Sequence, residues 1–171
     1  TFSFAMNPGL SIKYSDDSDF TILMHKYQQA WDLGIRNFSL QIDDIGNAIR
    51  YPEDAAKFKN QGEAHAYLAN RVYRALKEKD PEMTFSMCGM MYYIAQPDEY
   101  TYSLGEKLDP EISCMWTGGD VVDNYISIDE AYLYASGIRR KPFVTDNYPV
   151  NDFATTRLFM GPLVGRPNDL V

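Results

Sequence analysis

Two adjacent carboxylates, Asp43 and Asp44, follow a short strand-like run and are the side chains of this sequence best suited to chemistry. Paired carboxylates cleave glycosidic bonds as general acid, general base or nucleophile, and they also ligate magnesium or calcium. An Asp is equally suited to cap a helix N-terminus, and Asp44 could cap the segment that follows it. The pair alone therefore leaves catalysis, metal binding and a structural cap open.

The adjacency of the two acids restricts the catalytic interpretation. Neighbours in sequence are too close to act as nucleophile and acid on opposite sides of a glycosidic bond. In substrate-assisted hydrolysis the 2-acetamido group of the sugar is the nucleophile, so one carboxylate can orient it while the other protonates the leaving oxygen. Because neighbouring side chains on a strand point to opposite faces, both acids serve one site only if the strand ends between them and the backbone turns.

Strand-like runs alternate with helical runs along the chain. A helix is predicted from an N-cap at Ser18 to a stop at Gly34, a second from Gln61 to about residue 79, and a third from a capping box at Ser127 and Glu130 through residue 135, with Gly137 just past its end. A short helical turn is expected to end near residue 108. The predicted strands are 2–6, 39–43, 84–88, 112–117 and 142–146.

This alternation predicts an α/β fold built on a parallel sheet. The five strands suit either an open doubly wound sheet or part of an eight-stranded barrel. A nucleotide-binding open sheet is disfavoured because no Gly-rich loop joins a strand to a helix. Five strands are too few to close a barrel, so we expect residues 1–171 to form one partial domain, incomplete at both ends. The missing barrel portion, or another chain, would then associate with it.

The composition is that of a globular protein, with 45% hydrophobic and 23% charged residues. Sixteen Lys and Arg residues against twenty-four Asp and Glu residues give a net charge of −8, which argues against a nucleic acid or an anionic membrane as partner. No apolar run is long enough for a membrane span. Cys88 and Cys114 are interpreted as buried free thiols, and with only His25 and His65 besides, no Cys/His metal cluster is predicted.

Polar groups recur where the predicted strands end. They comprise Asn7, the Asp43-Asp44 pair, the tyrosines after Cys88, Thr117, and the 147–152 segment. The carboxyl ends of parallel strands share one rim, and this rim carries acids, amides and phenols but no histidine or lysine. Such groups suit a neutral polyhydroxylated ligand.

With these residues in hand, the sequence resembles glycoside hydrolase family 84, the β-N-acetylglucosaminidases. The resemblance covers nearly the whole chain in several ordered blocks. These blocks are NPGLSI at 7–12, GIRNFSLQIDDI at 34–45, LGEKLDPEISCMWTGGDVV at 104–122, DNYPVNDF at 146–153 and RLFMGPLVGR at 157–166. It implies a section, about strands three to seven, of a (β/α)8 TIM barrel.

The resemblance also implies roles for individual residues. Asp43 would orient the acetamido group, and Asp44 would act as general acid and then general base. We expect the pKa of Asp44 to be raised by its neighbour's charge and by partial burial, while Asp43 stays ionised. The substrate-binding residues would be Tyr92, Thr117, Val121, Asn147 and Asp152. The implied substrate is a glycan or glycoprotein carrying terminal β-linked N-acetylglucosamine, cleaved with retention and without metal or cofactor.

The sequence departs from the family pattern at several points. Thr145 stands where the family usually has a tryptophan that walls the acetamido pocket, and residues 89–91 replace a Pro-Thr-Glu stretch before Tyr92. The first two strands, with their glycine and lysine contacts to the sugar, and the asparagine near strand eight lie outside the matched section. The isolated chain is therefore expected to turn over little or no substrate. A non-catalytic N-acetylglucosamine-binding relative is the alternative.

Overall fold

The structure is a computed structural model that describes residues 2–46, 48–148, 150, 155–156 and 164–167. In this described part the chain forms five strands and five helices around a parallel sheet, which confirms the predicted α/β fold. In chain order the elements are β1 Phe4–Met6, α1 Asp17–Asp32, β2 Asn37–Gln41, α2 Pro52–Lys57, α3 Gln61–Lys77, β3 Thr84–Cys88, α4 Glu99–Lys107, β4 Ser113–Trp116, α5 Ile128–Ile138 and β5 Pro142–Val144.

Each strand of the sheet pairs in parallel with the next strand along the chain, in the order β1-β2-β3-β4-β5. A doubly wound sheet reverses its strand order at a switch point, and this sheet does not. Right-handed crossovers in a sheet that never reverses carry the helices onto one face. The five carboxyl ends consequently lie side by side along one edge.

The core lies between the sheet and its helices. Phe38 on β2 lies against Tyr27 and Trp31 of α1, with ring centroids 5.9 Å away in each case. Further along the sheet, Trp116 stacks on Tyr134 of α5 at 5.6 Å. These side chains are large and nearly all fully buried, so they fix the distance between each helix and the strands beneath it.

The opposite face of the sheet is more polar. Ser39 and Gln41 project from β2 on the side away from Phe38, and the Gln41 amide donates to the Ser39 hydroxyl at 2.7 Å. The same amide lies 3.6 Å from the sulfur of Met115 on β4. The two predicted free thiols are both buried, Cys88 at the end of β3 and Cys114 within β4.

The start of α1 differs from the prediction. Asp16, not Ser18, is the N-cap, and its carboxylate accepts the Ser18 backbone N–H at 2.7 Å. A carboxylate at this position is also favoured by the helix dipole. The predicted stop is confirmed, since Gly34 has φ of 88° directly after the helix and its N–H donates to the Trp31 carbonyl.

The extent of α5 was also predicted wrongly. Gly137 lies inside the helix, which continues to Ile138 and ends at Arg139 with φ of 56°. A Cβ added at Gly105 of α4 would lie 2.3 Å from the Gly137 carbonyl oxygen. The two glycines therefore mark a close crossing of α4 and α5, and Gly137 serves packing rather than helix termination.

Two other helices were missed or underestimated. The six-residue α2 was not predicted; it begins at Pro52, whose fixed φ suits the first helical position. The expected short turn near residue 108 is the nine-residue α4, started by a reciprocal capping box of Asp98 and Thr101. Within the described residues, none of the helices has both the length and the hydropathy that crossing a membrane would require.

Candidate active site

The two adjacent acids lie in a turn beyond the end of β2. The strand ends at Gln41, two residues earlier than predicted, although the Ile42 N–H still donates to the Cys88 carbonyl at 2.8 Å. The backbone then bends at Asp43 and Asp44, and Gly46 follows with φ of 77°. The expected turn is present at the acids, but the strand ends before both of them rather than between them.

The two carboxylates differ in their exposure to solvent. Asp43 is half-buried, and this burial raises the pKa of its carboxyl, with a smaller contribution from the charge of Asp44. Asp44 is exposed, so the predicted partial burial of Asp44 is wrong for this chain. Of the two acids, Asp43 is therefore the one that is more shielded from solvent.

Tyr92 lies near the two acids, and their charges affect its pKa. It follows β3, the next strand of the sheet, and stacks edge-on against Tyr93 with ring centroids 5.2 Å apart. Burial, assisted by the negative charges of Asp43 and Asp44, raises the pKa of Tyr92 to about 12. The phenol therefore keeps its proton at neutral pH and remains a hydrogen-bond donor beside the carboxylates.

Cys88 also lies beside the two acids, which the sequence did not predict. It is the last residue of β3 and is 5% exposed. Burial and the charges of Asp43 and Asp44 raise the pKa of its thiol. It was correctly predicted to be buried, but its proximity to the acids depends on the pairing of β2 with β3.

Thr117 directly follows β4 and adjoins Tyr92. Its backbone N–H donates to the Tyr92 carbonyl at 2.9 Å. The side chain is 1% exposed, and its hydroxyl has no hydrogen-bond partner among the described residues. A buried hydroxyl without a partner is costly, so this atom calls for a partner that the described residues do not supply.

Val121 and Asn147 form a second group at the neighbouring strand ends. The Asn147 side-chain amide donates to the Val121 carbonyl at 2.8 Å, which ties the loop after β5 to the loop after β4. Thr145 continues the ladder beyond β5, because its N–H donates to the Trp116 carbonyl at 2.8 Å. Asp152, the remaining predicted binding residue, lies outside the described residues.

Arg166 holds this second group in place and was not singled out by sequence reasoning. Its guanidinium binds the Asp146 carboxylate at 2.7 and 3.0 Å and the carbonyls of Asp123 and Asn124 at 2.8 and 2.9 Å. The guanidinium lowers the pKa of Asp146. The arginine lies 20 residues from Asp146 and 42 from Asn124, so no local pattern indicates these contacts.

The arrangement can bind and polarise a neutral polar ligand. One end offers two carboxylates, a protonated phenol and an unpartnered hydroxyl, and the other offers an amide side chain. The described residues contain no group of three or more His, Cys, Asp or Glu side chains that could hold a metal ion. Carboxylates, a phenol and an amide can supply proton transfer and hydrogen bonding to such a ligand.

Comparisons with known proteins place the chain among relatives of one family. The family model described as beta-N-acetylglucosaminidase matches residues 1–171. The chain is 32% identical to the protein O-GlcNAcases of Rattus norvegicus and Mus musculus. The alignments cover 99% of this chain and 19% of each relative.

A solved structure of an O-GlcNAc hydrolase mutant from Thermobaculum terrenum is similar in fold. It superposes with a TM-score of 0.82 at 29% identity, over 88% of this chain and 33% of that one. The chain thus spans a third or less of each of these three proteins. Since the family model matches every residue, the chain belongs to the beta-N-acetylglucosaminidase family of glycoside hydrolases.

Proposed function

We propose that the protein containing this chain removes terminal β-linked N-acetylglucosamine from glycans or glycoproteins, with retention and by substrate-assisted catalysis. The observation that carries the proposal is the placement of the Asp43-Asp44 pair and the Tyr92 segment directly after β2 and β3, which pair side by side in the parallel sheet. An acetamido group between them meets a donor for its carbonyl oxygen and an acceptor for its N–H.

The chain is proposed to form strands three to seven of a (β/α)8 barrel, as one partial domain over residues 1–171. A strand order that never reverses supports this, because a barrel is a sheet that winds continuously in one direction. All of the candidate side chains that the structure describes follow the carboxyl ends of strands, where barrel enzymes have their active sites.

Asp43 is proposed to accept the acetamido N–H. Its half-buried carboxylate has a raised pKa, and a more basic carboxylate is a stronger hydrogen-bond acceptor. As this hydrogen bond strengthens, the acetamido oxygen becomes more nucleophilic and attacks the anomeric carbon, closing an oxazoline-like ring. The Tyr92 hydroxyl donates to that oxygen and holds it in line.

Asp44 is proposed to transfer the proton. In the first step its carboxylic acid protonates the glycosidic oxygen as that bond breaks. In the second step its carboxylate removes a proton from water, which attacks the anomeric carbon and reopens the ring with the original β configuration. Since Asp44 is exposed, the bound sugar itself must cover it before the carboxyl can carry the proton into a drier site.

The remaining candidates are proposed to bind the sugar. Thr117 would offer its unpartnered hydroxyl to the acetamido pocket, and Asn147 would support the reacting centre. Val121 would lie near the pocket mouth, and Asp152 would bind the outer hydroxyls. The hydrogen bond from Asn147 to the Val121 carbonyl supports a joint role for these two residues.

The test uses the intact protein and aryl N-acetylglucosaminides that differ in leaving-group pKa. Asp44→Asn should slow cleavage by about two or more orders of magnitude, and the loss should be largest for the poorest leaving group. Asp43→Asn should slow all of the substrates alike, since it impairs the nucleophile. Asp32→Asn, an exposed acid at the end of α1, is the matched control and should be normal.

The outcomes separate the proposal from its alternative. Near-normal rates for Asp44→Asn would refute the assignment of the general acid. Calorimetric binding of N-acetylglucosamine without hydrolysis by the intact protein would instead favour a non-catalytic binding relative. The glycine and methionines at 89–91 and Thr145 motivate that alternative.

A further inference from the structure

A buried histidine near the candidate site connects the loop after β1 to helix α4. His65 lies on α3 with no exposed surface. Its Nε2 lies 3.1 Å from the Tyr14 hydroxyl, and its Nδ1 lies 2.9 Å from the Tyr100 hydroxyl. Tyr14 belongs to the loop after β1, and Tyr100 belongs to α4, so the ring bridges segments that are far apart in sequence.

The neutral His65 ring can make both of these hydrogen bonds in either tautomer. Burial lowers the pKa of His65 to about 3, so the ring is neutral with one N–H. In one tautomer Tyr100 donates to Nδ1 and Nε2–H donates to Tyr14; in the other, Nδ1–H donates to Tyr100 and Tyr14 donates to Nε2. In both, the Tyr100 hydroxyl also accepts the Met90 backbone N–H at 3.0 Å.

The network reaches the segment that carries Tyr92. Met90 lies two residues before Tyr92, in a stretch that is neither helix nor strand. A Cβ added at Gly89 would lie 2.7 Å from the Tyr100 hydroxyl, so this backbone lies directly on the phenol. The position of residues 89–92 therefore depends on the Tyr100 hydroxyl at one end and on the Thr117 N–H at the other.

The far end of the network is anchored as firmly. The fully buried Asp54 carboxylate accepts the Tyr14 N–H at 2.9 Å and the Ser15 N–H at 2.7 Å. Asp54 belongs to α2 and fixes the loop after β1 against that helix. The His65 ring thus connects an anchored loop to the 89–92 segment.

We propose that His65 and Tyr100 are positioning residues that hold segment 89–92, and with it the Tyr92 phenol, in register with Asp43. This inference rests on the proposed function. Neither side chain touches the substrate; both act through the Met90 N–H. A phenol displaced by a fraction of an ångström loses its alignment with the reacting oxygen, and the chemical step slows more than substrate binding weakens.

The first test removes one hydroxyl from the intact protein. Tyr100→Phe should speed amide hydrogen exchange at residues 90–92 by about tenfold or more, because the Met90 N–H loses its acceptor. The kcat for an aryl N-acetylglucosaminide should fall about tenfold with KM within about twofold. Tyr27→Phe is the matched control, since Tyr27 is a fully buried phenol that donates to the Ser39 carbonyl at 2.8 Å. It should change neither readout.

The second test distinguishes the two nitrogens of the ring. An asparagine amide occupies the place of Nδ1 and a glutamine amide that of Nε2, so His65→Asn keeps the Tyr100 contact and His65→Gln keeps only the Tyr14 contact. We expect His65→Asn to retain kcat within about threefold and His65→Gln to fall about as far as Tyr100→Phe. Filling of core volume alone predicts the reverse order, because glutamine is closer to histidine in size.

The outcomes assign failure to one proposal or the other. Unchanged exchange in Tyr100→Phe, or faster exchange with unchanged kcat, overturns the positioning role and leaves the proposed function intact. A wild-type protein that cleaves none of the substrates overturns the proposed function instead. In that event hydrogen exchange alone decides whether Tyr100 holds segment 89–92: faster exchange at residues 90–92 in Tyr100→Phe supports the positioning role, and unchanged exchange overturns it.

Discussion

Thr117→Val should stabilise the protein while weakening ligand binding. The Thr117 hydroxyl is buried with no hydrogen-bond partner among the described residues, and valine replaces it with a methyl group of nearly the same shape. An unmade buried hydrogen bond costs about 1–3 kcal/mol, so its removal should raise the free energy of unfolding by about 1–2 kcal/mol. For a domain of this size that corresponds to a rise in Tm of about 2–6 °C.

The same substitution at Thr101 is the matched control with the opposite sign. Thr101 is equally buried, but its hydroxyl accepts the Asp98 N–H at 2.7 Å and donates to the Asp98 carbonyl at 2.9 Å. Thr101→Val should therefore lower the free energy of unfolding by about 1–3 kcal/mol, since it breaks the capping box of α4.

The assays are urea unfolding of the intact protein and calorimetry with N-acetylglucosamine. Thr117→Val should show a higher unfolding midpoint and an affinity lower by about tenfold, the value of one hydrogen bond to a buried ligand. If Thr117→Val destabilises the protein as Thr101→Val does, its hydroxyl has a permanent partner in the folded protein. That result would refute the assignment of this atom to the ligand.

Two further predictions concern stability. Because burial raises the pKa of Asp43, the folded state keeps that proton longer than the unfolded state does; the free energy of unfolding should fall as pH rises from the ordinary carboxyl range through the raised pKa. Asp43→Asn should remove this pH-dependent loss of stability. Urea unfolding should therefore find the variant more stable than wild type at neutral pH and no more stable at acid pH. Gly105→Ala should cost about 1–3 kcal/mol despite the better helix propensity of alanine, because its Cβ would lie 2.3 Å from the Gly137 carbonyl oxygen. The Tm of the control variant Ser136→Ala, an exposed change on α5, should stay near that of wild type. A Tm for Gly105→Ala equal to that of wild type would contradict the close crossing.

Local sequence patterns were sufficient for the strands and for most of the helices. Alternating apolar residues and breakers predicted all five strands, since strand and helix periodicity depend on neighbours in the chain. The helix boundaries were less predictable. Taken alone, Gly137 predicts the end of a helix. Its close contact with α4 explains why a glycine stands inside the helix instead. The N-cap of α1 shifted to Asp16 because a cap depends on backbone geometry as well as on residue type.

The sequence by itself indicated the candidate side chains. Residue type and adjacency limit what two carboxylates can do, so an adjacent acid pair at a strand end restricts the catalytic interpretation to substrate-assisted chemistry, while metal binding and a structural cap stay open. The tertiary structure alone decided which acid is shielded and which neighbours surround it. Burial depends on the packing of β2 against β3, and Asp43 is half-buried there while Asp44 faces solvent. The network through His65 depends on the same long-range packing, which no local pattern encodes.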